Sequence, residues 1–370
     1  MQSPSVADVR PPRIVDDLIP IILENNDHWW PRDFQRLAVV SSAWVAPVRK
    51  CLYTRPILSM FRACHLFVRA LTENPSLRSF VQGVDLCPVP DDTVCHGIIE
   101  KMMAHVRFIL GLQGIRSVKL GGALAVSAER FIDAVTSSNT IVDLCIDGSA
   151  LRTFCLFSGP PLLWDGILAS KFTSLRTLRL SCVEFTVPPL PTSYPMPLTE
   201  LYLENVDITG NLPVDLCQGP WYTLRTLGVR AKSAVGNDYH IRCMIQRCVN
   251  LETLRYEVRD THGHGAIFDH ESPPRHSLRQ LLLSGLDVTP QSLDDIALCC
   301  RNLEELTVLG HLVRISSTDW ASWLASDTLP ALRALRTPHC TTSPPFLYWS
   351  DDMIRHVQVA CSARNIVFCC

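Results

Sequence analysis

Along the last two-thirds of the chain, apolar residues recur in one short pattern. An apolar position is followed by two unconstrained residues, a second apolar position, one unconstrained residue and a third apolar position. The copies are Ile115-Val118-Leu120, Ile141-Leu144-Ile146, Leu175-Leu178-Leu180, Leu198-Leu201-Leu203, Leu224-Leu227-Val229, Leu251-Leu254-Tyr256, Leu278-Leu281-Leu283, Leu303-Leu306-Val308 and a degenerate Leu332-Leu335-Thr337. Their first positions are separated by 26, 34, 23, 26, 27, 27, 25 and 29 residues. Alternation of period two predicts a short strand at each copy, with the second and third apolar residues turned inward and their neighbours outward. Between the strands the period becomes helical. Thr289-Pro290 reads as an N-cap with proline at the first helical position, ahead of Leu293, Ile296, Ala297 and Cys300 on one face. Asp238 is expected to cap a helix burying Ile241, Met244, Ile245 and Cys248. Ser127 opens one burying Phe131, Ile132 and Val135, and Ser350 one burying Met353, Ile354 and Val357. The proline-rich stretch from Val183 to Pro197 has no helical period and is expected to cross as an irregular loop.

A strand, a turn and a helix repeating every ~20–29 residues is the signature of leucine-rich repeats. The fold expected over residues 111–370 is therefore an α/β solenoid, a curved parallel sheet with helices on its outer face. Cys248-Val249-Asn250-Leu251 and Cys300-Arg301-Asn302-Leu303 resemble the cysteine-containing repeats found behind F-boxes, in which the cysteine is a core residue at a helix end.

Residues 13–55 do not fit the repeat. Ile14, Leu18, Ile19, Ile22 and Leu23 form one apolar helical face. Pro31 can start a second helix with Phe34, Leu37, Ala38 and Val40, and a third apolar set follows at Val48, Leu52 and Tyr53. Arg36-Leu37-Ala38-Val39-Val40-Ser41-Ser42-Ala43-Trp44 is similar to the Leu-x-x-Val-Ser/Cys-x-x-Trp helix of the F-box family, and Ile14 to Leu23 resembles its opening helix. Ser41 through Tyr53 looks like fungal F-box proteins with leucine-rich repeats. Val15 and Asp17 depart from the family's proline and glutamate, and Pro20 is expected to kink the first helix. The chain thus divides into a disordered N-terminus at 1–12, an F-box-like three-helix segment at 13–55, a helical linker with an irregular first repeat at 56–110, and the solenoid. Within the linker, Pro56 is expected to start a helix through Phe61, Cys64, Phe67, Val68 and Leu71.

The resemblance implies a substrate-recognition subunit of a Skp-cullin-F-box-type ubiquitin ligase. The first segment would bind a Skp-type adaptor, and through it a cullin, with Leu18, Ile19, Ile22, Leu37, Val40 and Trp44, the tryptophan being the expected anchor. The repeats would hold an unknown protein substrate. Two alternatives stay open: a leucine-rich-repeat scaffold with no ubiquitin role, and a leucine-rich-repeat GTPase regulator.

Composition narrows this little further. Hydrophobic residues are 47% and charged residues 19%, enough for an extended core. The formal net charge is -2, which gives no sign of a polyanion binder, so neither nucleic acid nor membrane is expected as a partner. The N-terminus lacks the apolar run of a secretory signal, and the longest uncharged apolar run, Leu120 to Val126, is too short to span a bilayer. Sixteen cysteines at irregular gaps, many of them at apolar positions, are read as free thiols of a cytoplasmic or nuclear protein.

No phosphate loop, dinucleotide fingerprint, nucleophile elbow or Cys-x-x-Cys occurs, so no catalytic residue, metal or cofactor is expected. His262, His264, His270 and His276 lie in one Gly/Pro/Asp-rich segment and read as solvated rather than metal-binding; Trp320 and Trp323 read as core. Function then falls to the outward positions of the strands. Arg179, Tyr202, Glu204, Arg230, Arg255 and Glu257 are the expected substrate contacts, since arginine and tyrosine are favoured interface anchors.

Overall fold

A computed structural model describes residues 18–24, 31–89, 96–150, 162–188, 196–209, 220–233, 237–260, 267–268, 276–310, 312–338 and 349–369. The expectations on residues 1–12, Ile14, His262, His264 and His270 lie outside these, as do residues 189–195 of the proline-rich stretch.

Three helices come first: α1 (Leu18–Glu24), α2 (Pro31–Ala38) and α3 (Ser42–Thr54). They close on a small core of Ile19, Leu23, Trp44 and Val48, with Phe34, Leu37 and Leu52 packed against it. Pro20 does not act as a helix breaker. It lies in the first turn of α1, where an amide has no helical acceptor to lose.

A twelve-stranded all-parallel sheet follows. Its members in spatial order are β1 (Ile57–Met60), β2 (Gly83–Val89), β3 (Ser117–Gly121), β4 (Asp143–Asp147), β6 (Thr177–Ser181), β8 (Glu200–Glu204), β10 (Thr226–Ser233), β11 (Thr253–Asp260), β12 (Gln280–Ser284), β13 (Glu305–Leu309), β14 (Ala334–Arg336) and β15 (Val367–Cys369). Every apolar triplet of the sequence supplies one strand, and buried and half-buried residues alternate along β4, β6, β8 and β12. The irregular first repeat of the linker supplies β2, but β1 and β15 were not expected. The sheet begins at Ile57, where Pro56 leads into a strand before α4 (Phe61–Glu73), and β15 closes the far edge. A second parallel sheet is built from β5 (Leu162–Leu163), β7 (Glu184–Thr186) and β9 (Asp207–Thr209). Residues 184–186, within the expected irregular stretch, therefore form a strand.

The main core runs unbroken from Leu58 to Ile366 between the sheet and the elements behind it. Leucines of successive strands stack in register: Leu178 on Leu201, Leu201 on Leu227, Leu227 on Leu254, Leu254 on Leu281. Cys248, Cys299 and Cys300 are buried in this core. The asparagines of the two cysteine-bearing repeats tie neighbouring repeats together, Asn250 donating to the Tyr222 carbonyl at 2.7 Å and Asn302 to the His276 carbonyl at 2.8 Å. Trp320 and Trp323 are core residues in an edge-to-face pair.

Thr289 and Ser350 cap their helices, Thr289 in a reciprocal box with Ser292. Behind Ser350, Val357 and Cys361 are buried, while Met353 is 37% exposed rather than inward. Asp238 is no cap. It lies inside the helix Asn237–Arg247 and turns into the core, accepting a 2.5 Å hydrogen bond from the Tyr256 hydroxyl. Tyrosine stands here where other repeats have leucine or another aliphatic residue, and its hydroxyl requires that partner.

Five strands of the large sheet end in a bend. Gly122, Cys182, Asn205, Gly285 and Gly310, each immediately after a strand, have φ of 56°, 55°, 49°, 75° and 123°. At Gly285 a Cβ would sit 1.9 Å from the Val258 carbonyl oxygen, so only glycine fits. β10 and β11 lack the bend and pair for seven residues, out to Ser233 opposite Asp260.

Candidate functional site: the open sheet face and the helical segment

The outward side chains of the large sheet form rows across the strands. Register aligns Asp85, Lys119, Cys145, Arg179, Tyr202, Gly228, Arg255, Leu282, Thr307 and Arg336 in the middle row. A row above runs Asp147, Ser181, Glu204, Arg230, Glu257, Ser284 and Leu309.

From β1 to β11 the charges of these rows neutralise one another between neighbouring strands. Arg55, just before β1, donates to Asp85 at 2.9 Å. Lys119 meets Asp147 at 3.0 Å. Burial alone would lower the Lys119 pKa, but the hydrogen bond and charge of Asp147 hold it above its ordinary value. Arg179 donates to Asp143 at 3.0 Å, stands 3.6 Å from Glu200, and lies over the Tyr202 ring with its guanidinium carbon 5.2 Å from the centroid. Arg230 bridges three strands, donating to Glu257 at 2.8 Å and to Glu204 at 2.7 Å. Those two hydrogen bonds, Glu257 first, raise its pKa further. The Tyr202 ring leans over Gly228, where a Cβ would approach Cδ1 to 2.6 Å. Its hydroxyl is raised above its usual pKa by burial and then by Glu200.

Of the six expected substrate contacts, five therefore belong to internal networks. Arg179 and Tyr202 form one; Glu204, Arg230 and Glu257 form another. Only Arg255 points outward with no ion pair or hydrogen bond among the described residues. Alternation placed these residues on the correct face but could not show that Arg230 stands between two glutamates, because that depends on the order of strands. Sequence reading also passed over Arg259, whose strand continues beyond the repeat pattern. The continued alternation of Tyr256, Glu257, Val258 and Arg259 was the available signal.

On the helical segment, Leu18, Ile22 and Val40 are exposed, and so are Ile21 and Val39. Ile19 and Trp44 are not available to a partner. Trp44 is only 8% exposed, and both belong to the segment's core, as does the half-buried Leu37 that packs on it. Trp44 is thus a structural residue rather than an anchor, since it fills the core that holds the three helices together.

Among the described residues no group of three or more His, Cys, Asp or Glu is placed to hold a metal. The thiols of the buried Cys64 and Cys361 and of the half-buried Cys145 are pushed up to about 11 by desolvation, which disfavours thiolate chemistry. Among the described residues no helix is long and apolar enough to cross a membrane.

The repeat, the register and the parallel sheet together define a leucine-rich-repeat solenoid. No known family description and no curated protein matches the chain. Among solved structures, an LRR protein of Leptospira interrogans is similar at 13% identity with a TM-score of 0.38, over 79% of this chain and 72% of that one.

Proposed function

We propose that the chain is a substrate receptor of a Skp-cullin-F-box-type ubiquitin ligase, in the cytoplasm or nucleus. The helical segment docks on a Skp-type adaptor and the open sheet face holds a protein substrate. The observation that carries this reading is the apolar surface of the small helical segment. Leu18, Ile21, Ile22, Val39 and Val40 are exposed on a unit whose own core is already filled by Ile19, Leu23, Trp44 and Val48. Exposed apolar side chains gathered on one small unit mark an interface. Two features tie that unit to the solenoid: Tyr53 of α3 stacks on Phe67 of α4 at 5.7 Å, and Arg55 pairs with Asp85 of β2. A partner held by the helices would thus be held at a fixed place relative to the sheet. The chain performs no chemistry of its own in this reading; it acts by raising the effective concentration of substrate near the transfer machinery.

The test is co-purification of the full chain with a Skp-type adaptor. Leu18→Asp with Val40→Asp should abolish it, because both side chains are exposed and the small core is untouched. Wild-type protein that fails to bind the adaptor at micromolar concentration would leave a leucine-rich-repeat scaffold.

A further inference from the structure

The two halves of the open face differ. Up to β11 the cations are closed off by carboxylates of adjacent strands. In the two outward rows from β11 to β14 they are not, although just before the strands Glu304 pairs with Arg279 and Arg333. Arg255, Arg259 and Arg336 are exposed and make no ion pair or hydrogen bond among the described residues. Glu257 of β11 is taken by Arg230 across the boundary. Among the described residues of these rows on this half, Glu305 of β13 is the remaining exposed acid, one row below Arg336. Between the arginines lie Leu282, Ser284, Thr307 and Leu309, uncharged and half-buried. Arg259 is present on the sheet because β11 lacks the bend that ends its neighbours.

We infer that this half of the face binds an extended acidic peptide segment, with one carboxylate on Arg255 and Arg259, an apolar side chain on Leu282 and Leu309, and a second carboxylate on Arg336. The inference rests on the reading of the open face as the substrate surface and names the substrate's chemistry. Charge complementarity decides the occupant. A guanidinium with no partner presents its planar fork of donors to solvent, and a carboxylate fits that fork bidentately. Strand spacing sets the ligand's period: three intervals of ~4.8 Å separate Arg255 from Arg336, so the two anions stand roughly 14 Å apart. An extended chain rises ~3.3 Å per residue, so the acids fall about four residues apart with the apolar residue midway. Glu305 shapes the site by repelling an acid placed lower on the face, which directs the segment across the middle and upper rows.

The test uses the full chain and a fluorescein-labelled peptide carrying Glu-Gly-Leu-Gly-Glu within a Gly/Ser frame, read by fluorescence anisotropy at low salt. Binding is expected. It should weaken at least tenfold when both glutamates are glutamine, and by a similar factor in Arg255→Gln and in Arg336→Gln. Arg255→Lys should weaken it less than Arg255→Gln, because the charge is kept and the fork is lost, and Arg179→Gln, within a closed network, should change it less than twofold. Melting curves on each variant confirm folding. A glutamine peptide that binds equally, arginine variants that bind normally, or binding only by a phosphoserine version would each overturn the proposal. Adaptor co-purification on the same preparation separates the two readings. Adaptor bound without peptide refutes this inference alone; peptide bound without adaptor refutes only the ligase assignment.

Discussion

Changing Tyr256 to Phe removes one oxygen atom from the interior and leaves the packing volume almost unchanged. The hydroxyl is fully buried, and its partner Asp238 is 5% exposed. Burial, and then the adjacent carboxylate, push the tyrosine pKa far above its usual range, so the group is a neutral donor at all accessible pH. A buried hydrogen bond to a charged group contributes ~1.5–3 kcal/mol. Tyr256→Phe is therefore expected to cost about 2 kcal/mol, and Asp238→Ala a similar amount. The double variant should cost well under the sum, with a coupling of at least ~1 kcal/mol, because both changes remove the same hydrogen bond. Urea unfolding followed by circular dichroism gives the three values, provided the slope stays constant. Amide exchange in β10, β11 and β12 reads the same loss locally, which matters because long repeat arrays can depart from two-state behaviour. Additive costs, or a Tyr256→Phe effect within ~0.5 kcal/mol, would refute the claim that this bond compensates for a tyrosine in the repeat's leucine position.

Gly285→Ala should destabilise the solenoid by well over ~1 kcal/mol, since it combines a left-handed φ with a Cβ driven into the Val258 carbonyl, and a melting temperature unchanged within error would exclude that geometry. Trp44→Ala should cost ~3–5 kcal/mol within the helical segment and abolish adaptor binding by unfolding it, so amide protection in α1–α3 should vanish while that of the sheet remains. Stability should fall as pH drops below 6.5. His105 is depressed below that value by burial and by His65, whose Nδ1 is 3.3 Å from its Nε2, and His240 is depressed by burial alone; the unfolded chain then takes up protons first. Equal melting temperatures at pH 7.5 and 5.5 would contradict this. In the native protein at pH 8, Cys369 should react with a thiol reagent while Cys64 and Cys361 react only after denaturation.

The solenoid was legible in the sequence because its inward leucines depend only on local alternation and on a spacing that repeats. The strands that were missed lack that signature for identifiable reasons. In β1 only Leu58 is buried, and the helical run behind it masks a four-residue edge strand. At β15 the buried residue is Ile366, one before the strand, so no apolar pair marks it. The functional surface was less legible. Period two tells which residues face outward, but not whether an outward arginine has a carboxylate on the next strand. Arg230 and Arg255 look alike in sequence, yet one is bracketed by Glu204 and Glu257 and the other is open. In the helical segment, amphipathic spacing identified the apolar residues but not which of them fill the core; Trp44 and Ile19 do, while Leu18, Ile22 and Val40 do not.

The ion pairs that cross the sheet between β1 and β11 also bear on how such an array can grow. Solenoids lengthen when a repeat is duplicated beside itself. A second copy of β10 next to the first would set Arg230 directly opposite another Arg230, about 4.8 Å away, and would part it from either Glu204 or Glu257. A duplicated β4 would likewise set Asp147 against Asp147 and leave one copy without Lys119. In this half each strand is matched to particular neighbours, which makes the order of repeats a fixed text. Beyond β11 no side-chain ion pair joins the outward rows of one strand to the next among the described residues. There a copied repeat would break no ion pair of the outward rows, although the line of residues just before the strands keeps Glu304 between Arg279 and Arg333, so this end of the molecule is freer than the other to change its length and its recognition chemistry.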